Sequence, residues 1–341
     1  MSVLRLTLSV ATPKLVRPFV IATGARTHQP YLSVRLTSGP HSGRGAATGI
    51  AYLGASPERL RDEIEAVRTQ IESGIDRQAL LQLLPAGGAR AALDGALWEL
   101  EAAQSGSTVA ARLGLDPVPI ASAYTIVLDT PEAMAAQARL DGWRPLLKVK
   151  LGGSPDEEET RLRAVALSAP KARKVIDANA AWTAEQLARL APVAAACGYE
   201  LLEQPLPAGS ESRAEMRQSL VDASHHIPLC ADESLQTLAD LDSLLGLYQA
   251  VNIKLDKCGG LTSALSIRDE AREKGLSIFV GCMLAPALAI APAHLLAQGA
   301  DYADLDGPFW FDGEPVRLTQ DGLFAPINPA VWGAGETRAN D

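Results

Sequence analysis

The chain has 341 residues, 47% hydrophobic and 21% charged, and its 31 Lys and Arg against 40 Asp and Glu give a net charge of −9. That much apolar surface excludes a disordered chain, and the acidic balance, with no cluster of five basic residues, argues against a nucleic-acid partner. A single core rarely grows past about 250–300 residues, so a large domain and a smaller one are expected.

The N-terminal MSVLRLTLSVATPK alternates as a strand does and lacks the apolar run and cleavage site of a secretory signal. Cys197, Cys230, Cys258 and Cys282 are widely spaced with no C-x-x-C pair, which suits neither a zinc site nor a disulfide scaffold. A reducing, cytoplasmic location is expected. Residues 2–10 and 31–37 alternate like half-buried antiparallel strands. A helix is predicted from Ser56, with Pro57 at its first position and Leu60, Ile64, Val67 and Ile71 on one face. A second covers 88–104, with Leu93, Leu97 and Leu100 along one side. Residues 1–115 therefore read as a small α+β domain.

From residue 119 a unit repeats: a short apolar run, a turn, an amphipathic helix. Eight runs occur, at 120–128, 146–150, 174–177, 200–203, 228–232, 249–255, 276–281 and 302–306. Thr130 before Pro131, Ser154 with Glu157, Thr183 with Gln186 and Ser212 with Glu215 are candidate helix caps. This alternation means parallel strands with crossover helices, in a closed barrel or an open doubly wound sheet. The run ends decide for the barrel. Lys150, Asp177, Glu203, Asp232, Lys254, Asp304 and Asp306 sit where an ordinary buried strand avoids charge, and only a ring gathers so many strand ends at one mouth. Phe279 to Ala297 has a single ionisable residue, His294, but Gly281, Pro286 and Pro292 interrupt it; a buried strand entering a buried helix is predicted rather than a membrane span.

Asp177, Glu203 and Asp232 end three consecutive runs. Three converging carboxylates repel one another unless a cation joins them, and all-oxygen ligation suits Mg²⁺, or Mn²⁺, rather than zinc. Asn179, two residues beyond Asp177, is a candidate support behind these ligands. Lys148 and Lys150 share a face of the second run. Neighbouring ammonium groups are expected to lower each other's proton affinity, which suits a lysine to act as a base. Lys254 ends the sixth run, four strands around the ring, so Lys150 and Lys254 are expected to oppose each other across the metal. A metal on a substrate carboxylate stabilises the enediolate formed when the α-proton leaves. One lysine takes the proton from one face and the other returns one to the opposite face, a 1,1-proton transfer that inverts the α-carbon.

Lys148-Val149-Lys150, Asp177-Ala178-Asn179, Glu203-Gln204-Pro205, Asp232-Glu233 and Lys254-Leu255-Asp256-Lys257 resemble the muconate-lactonizing branch of the enolase superfamily. The resemblance implies a capping domain at 1–115, a (β/α)₇β modified TIM barrel at 116–311 and a segment, 312–341, that returns to the cap. It implies Mg²⁺ on Asp177, Glu203 and Asp232, acid/base roles for Lys150 and Lys254, and supporting places for Asn179 and Glu233. Asp304-Leu305-Asp306 resembles the Asp-x-Asp with which dipeptide epimerases hold the α-ammonium of their substrate, and adjacent carboxylates on one strand face suit a cation. NIKLDKCGGLT (252–262) and GCM (281–283) resemble the L-Ala-D/L-Glu type in particular, and the loop from Pro18 to Arg26 resembles one in which an arginine meets the glutamate side chain. Arg26 and Lys148 join Asp304 and Asp306 as expected substrate contacts. Gly45 to Tyr52 and Ala285-Pro286-Ala287 are less polar than the corresponding stretches of such enzymes, leaving room for apolar second residues.

The expected function is thus Mg²⁺-dependent epimerisation of a dipeptide such as L-Ala-L-Glu, with a role in recycling cell-wall peptides as the family implication. No nucleic-acid or membrane partner is expected, and homo-oligomers are common among such barrels. The alternatives of the same fold are an N-acylamino acid racemase and an o-succinylbenzoate synthase, whose substrates lack the ammonium. The alternative of another class is a non-catalytic small-molecule-binding barrel.

Overall fold

The computed structural model describes residues 4–21, 24–153 and 156–337. The first strands are β1 (Arg5–Ala11), β2 (Lys14–Ile21), β3 (Gly24–His28), β4 (Tyr31–Ser38) and β5 (His41–Ala47). β2 and β3 form a separate antiparallel hairpin. β1, β4 and β5 pair antiparallel in the order β1-β4-β5, and a last short strand pairs beyond β5. Along β4 every second residue is buried, so Leu32, Val34 and Leu36 face the helix Gly88–Gln104. Ser56 caps the helix Pro57–Ala66 by accepting from the Arg59 N–H. That helix stops at Val67, which takes φ −116°, and a short helix Arg68–Glu72 follows. The predicted face is interrupted, yet Leu60, Ile64 and Ile71 all remain buried.

β5 lies so close to the helix Gly88–Gln104 that only glycine fits twice. A Cβ on Gly43 would lie 2.2 Å from the Ala96 carbonyl oxygen, and one on Gly45 would lie 2.0 Å from that of Ala92. Both obstacles are backbone atoms that cannot rotate away. Gly45→Ala is therefore expected to destabilise the protein by about 3 kcal/mol, read as a lowered midpoint of urea unfolding. An unchanged midpoint would show that the helix yields without cost.

The second sheet has eight strands: β6 (Tyr124–Ile126), β7 (Leu146–Lys150), β8 (Arg173–Asp177), β9 (Leu201–Glu203), β10 (Leu229–Ala231), β11 (Ala250–Ile253), β12 (Ser277–Gly281) and β13 (Tyr302–Asp304). Each pairs in parallel with the next. A parallel bridge from Ser122 to Ala303, with the Ala123 N–H 2.7 Å from the Ala303 oxygen, joins the two ends. The sheet is a closed barrel, not an open doubly wound one. Phe279 to Ala297 is the end of β12 followed by the helix Ala287–Leu296, and among the described residues no helix is long and apolar enough to cross a membrane.

Thr130 and Thr183 cap their helices, Thr183 in a reciprocal box with Gln186. Ser154 and Pro155 lie outside the described residues. Ser212 is not a cap: its hydroxyl donates back to the Gly209 carbonyl at 2.7 Å, and the helix Ala214–Ser224 starts after Arg213. After the barrel, β14 (Glu336–Thr337) runs antiparallel beside β5. The helix Gly88–Gln104 meets the barrel through buried polar contacts: Asp94 accepts from the Thr262 N–H and hydroxyl, and Arg90 donates to the Cys258 and Gly259 carbonyls.

Candidate active site

Side chains two apart on a strand share a face, so the barrel interior is built in layers. Ala123, Leu146, Val175, Leu201, Cys230, Ala250, Phe279 and Tyr302 form an apolar floor. Two residues further along the same chain segments stand Thr125, Lys148, Asp177, Glu203, Asp232, Asn252, Gly281 and Asp304. A further step brings Lys150, Asn179, Lys254 and Asp306. The apolar floor gives way, in one step, to a layer made almost wholly of polar side chains. Gly281 is the exception, and it makes room: a Cβ there would lie 2.5 Å from Asn252 Oδ1.

Asp177, Glu203 and Asp232 are buried, and one oxygen from each falls within 4.8 Å of the others. Lysines thread between them. Lys148 Nζ is 3.0 Å from Asp177, 2.8 Å from Glu203 and 2.8 Å from Asp304. Lys150 Nζ is 2.6 Å from Asp177 and Lys254 Nζ 2.6 Å from Asp232. Lys257 Nζ lies 2.6 Å from the other Asp232 oxygen and also donates to the Asn252 carbonyl. Burial raises the Asp177 and Asp232 carboxyls, but the lysines pull both below the ordinary range. Glu203 goes the other way, pushed up by burial and then by Asp177. The lowering of proton affinity expected of the neighbouring Lys148 and Lys150 is not found at Lys148, and Lys254 is held high in the same way. Burial pushes each down, but the surrounding carboxylates outweigh it and hold both well above the ordinary ammonium range.

The turns that carry these groups are strained. Asn179, Ala180 and Gln204 take φ values of 46°, 59° and 34°, a left-handed region uncommon for side-chain-bearing residues. They are tied together, since the Ala180 N–H donates to the Gln204 carbonyl. Asn179 donates its backbone N–H to Asp177 Oδ1 at 2.8 Å. Glu233 is half-buried, with Oε2 making no hydrogen bond.

Asp306 Oδ2 accepts from the Thr125 N–H at 2.8 Å and from Trp310 Nε1 at 3.2 Å. Burial, then the neighbouring Asp304, pushes its carboxyl up to about 6. Asp304 uses one oxygen on Lys148, and its other, Oδ1, is buried without a hydrogen-bond partner. Arg26 stands apart from this group. It is exposed on β3, and its guanidinium donates to Gln29 Oε1 at 3.0 Å; Ala22 and Thr23 of the same loop lie outside the described residues.

Sequence patterning misses three members of the site. Asn252 donates to Glu203 Oε1 at 2.8 Å, Lys257 holds Asp232, and Gln204 accepts from the Asp232 N–H at 2.9 Å. The signal for Asn252 is present, as a polar residue inside an apolar run two positions before Lys254.

The donor set fits a hard divalent cation: three buried carboxylates converge, with no nitrogen or sulfur ligand among them. Comparison with known proteins gives the same family at both ends of the chain. Residues 5–114 match the mandelate racemase/muconate lactonizing enzyme N-terminal domain and residues 132–320 the enolase C-terminal domain-like family. The chain is 41% identical to the L-Ala-D/L-Glu epimerase of Escherichia coli K12, over 88% of this chain and 92% of that one. It is 42% identical to an N-acetyl-D-glutamate racemase of a Pseudoalteromonas species, over 74% and 79%. Its fold superposes with TM-score 0.91, at 40% identity and 97% and 100% coverage, on an enolase family member from Agrobacterium tumefaciens with homology to dipeptide epimerases, whose structure holds sodium and L-Ala-L-Glu with an ordered loop.

Proposed function

The chain belongs to the mandelate racemase/muconate lactonizing enzyme family of the enolase superfamily, and from that premise we propose that it is a metal-dependent dipeptide epimerase acting on L-Ala-L-Glu or a close analogue. The observation that carries this is the Asp304–Asp306 pair beside the lysine–carboxylate cluster. A buried carboxylate oxygen without a donor is costly, and Asp304 Oδ1 has none. An ammonium group supplies both the missing donor and the charge that two adjacent aspartates call for. Asp177, Glu203 and Asp232 would hold Mg²⁺, which when bound offsets the charge that develops on a substrate carboxylate as its α-proton leaves.

The chain's own residues do the rest. Lys150 and Lys254 come from strand ends four places apart in the ring and flank the carboxylates from opposite sides. One removes the α-proton of the dipeptide's second residue; the other delivers a proton to the opposite face. Their exposures of 7% and 8%, against 1% and 2% for Lys148 and Lys257, support this choice of the two lysines that face the substrate. Lys148 stays beneath, linking Asp177, Glu203 and Asp304, so that it touches the substrate's ammonium site through Asp304. Arg26 is the candidate partner of an acidic second side chain. The similarity to an N-acetyl-D-glutamate racemase supports a second reading, an N-acylamino acid racemase. That substrate leaves Asp304 and Asp306 facing no cation.

The test is proton NMR of L-Ala-L-Glu and of L-Ala-L-Leu in D₂O, with Mg²⁺ and again with EDTA. The α-proton signal of the second residue should disappear, the L,D diastereomer should grow, and EDTA should stop both. Faster exchange of the glutamate dipeptide, lost in Arg26→Ala, supports the arginine contact; equal rates sink it. Exchange of N-acetylglutamate but of neither dipeptide would establish the second reading instead.

A further inference from the structure

We propose that Glu211 is a positioning residue for the metal ligand Asp232, acting through Ser234, Tyr248 and Gln204. The inference rests on the reading of Asp232 as a ligand. Glu211 is buried, in a short 3₁₀ turn beyond β9 that carries none of the groups assigned above. Its Oε1 accepts from the Tyr248 hydroxyl at 2.8 Å and, in a short contact, from the Ser234 hydroxyl. A hydroxyl has one proton. With both protons committed to Glu211, Ser234 and Tyr248 have only lone pairs left to offer their other neighbour, the Gln204 side chain.

That neighbour must therefore present its NH₂ to them. Gln204 Nε2 lies 2.9 Å from Ser234 Oγ, 3.3 Å from the Tyr248 oxygen and 2.8 Å from the Leu206 carbonyl. The amide oxygen is thereby turned the other way, where it accepts the backbone N–H groups of Asp232 at 2.9 Å and Ser234 at 3.1 Å. Gln204 is completely buried and held at φ 34°, so its amide has no water to fall back on. The carboxylate on the turn beyond β9 thus joins the Leu206 carbonyl and the Asp232 and Ser234 N–H groups in holding the amide orientation that fixes the backbone of Asp232.

Replacing the carboxylate by an apolar side chain of similar length, in Glu211→Met, removes the acceptor of both hydroxyls and frees their protons to oppose Gln204 Nε2. The test is isothermal titration of the metal-free full chain with Mg²⁺, for wild type, Glu211→Met, Tyr248→Phe and the double variant, alongside the Tm of each without metal. The Mg²⁺ Kd should rise about tenfold in Glu211→Met, as for other groups that orient metal ligands, and less in Tyr248→Phe, which keeps the Ser234 branch. The double variant should bind no worse than Glu211→Met, because both changes cut the same path. Variants that bind Mg²⁺ as wild type does, whatever their Tm, overturn the proposal and leave Glu211 a purely structural group. If Glu211→Met fails to fold, Tyr248→Phe decides by the same criterion. A wild type that takes up no Mg²⁺ would refute the metal reading, and the relay with it.

Discussion

Lys150→Ala and Lys254→Ala should each lower kcat for epimerisation of L-Ala-L-Glu by about 10³-fold, the range expected for loss of a general acid or base. The folded protein should survive both changes. Asp177 is paired with Lys148 as well as Lys150, and Asp232 with Lys257 as well as Lys254, so neither carboxylate is left as an unpaired buried charge. The informative result is asymmetric. With one lysine gone, the other still faces one side of the α-carbon. Each variant should therefore exchange the α-proton of one epimer with solvent deuterium, without inversion, and the two variants should choose opposite epimers. Inversion that continues near the wild-type rate in either variant would show that a different group delivers the proton. A binding barrel without chemistry would exchange no α-proton in any form.

The second large effect belongs to the far end of the substrate. Asp306→Asn removes half of the charge that would meet the ammonium yet keeps an oxygen to accept from Thr125 and Trp310. Removing one member of a buried charge pair costs about 2–5 kcal/mol, so kcat/KM for the dipeptide should fall by about 10²-fold or more. N-acylated amino acids, which have no ammonium, should be spared. A pH dependence follows with a definite sign. The Asp306 carboxyl is pushed up to about 6, so the pair carries its full charge above that value and loses charge below it. kcat/KM for the dipeptide should decline as pH drops through about 6, and this limb should be missing in Asp306→Asn. Equal losses on dipeptides and N-acyl substrates would show that Asp306 shapes the mouth without reading the ammonium.

The barrel is legible in the sequence because two independent patterns coincide, apolar runs at regular spacing and charge at their ends. Asp177, Glu203 and Asp232 come with it, since a carboxylate at the end of a buried strand is costly unless a cation meets it. What stays hidden depends on contacts between residues distant in sequence. Glu211 and Tyr248 are 37 positions apart, and neither belongs to a motif. Lys257 looks like an ordinary helix lysine until the turn after β11 folds it back onto Asp232. Lysine proton affinity is hidden for a related reason: the sequence puts Lys148 next to Lys150, but the ring puts three carboxylates within 3.0 Å of Lys148. Ser212 has the residue type and spacing of a cap, but it ends a 3₁₀ turn, its hydroxyl donates to the Gly209 carbonyl, and the helix begins only after Arg213.

The pairing of β14 with β5 imposes an order of assembly. β5 is an inner strand of its sheet only because residues from the far end of the chain lie beside it. The same late segment brings Trp332 Nε1 to the Arg44 carbonyl and the Gly333 N–H to the buried Glu99, which already grips Arg44. On a ribosome these partners arrive after every strand of the barrel has been made. Until then β5 is an open edge of the kind that recruits other chains, and Glu99 is one donor short. The first sheet to be synthesised is the last to be finished, so the interval between the two is when a nascent chain is most exposed to mispairing, and when a chaperone would have most to protect.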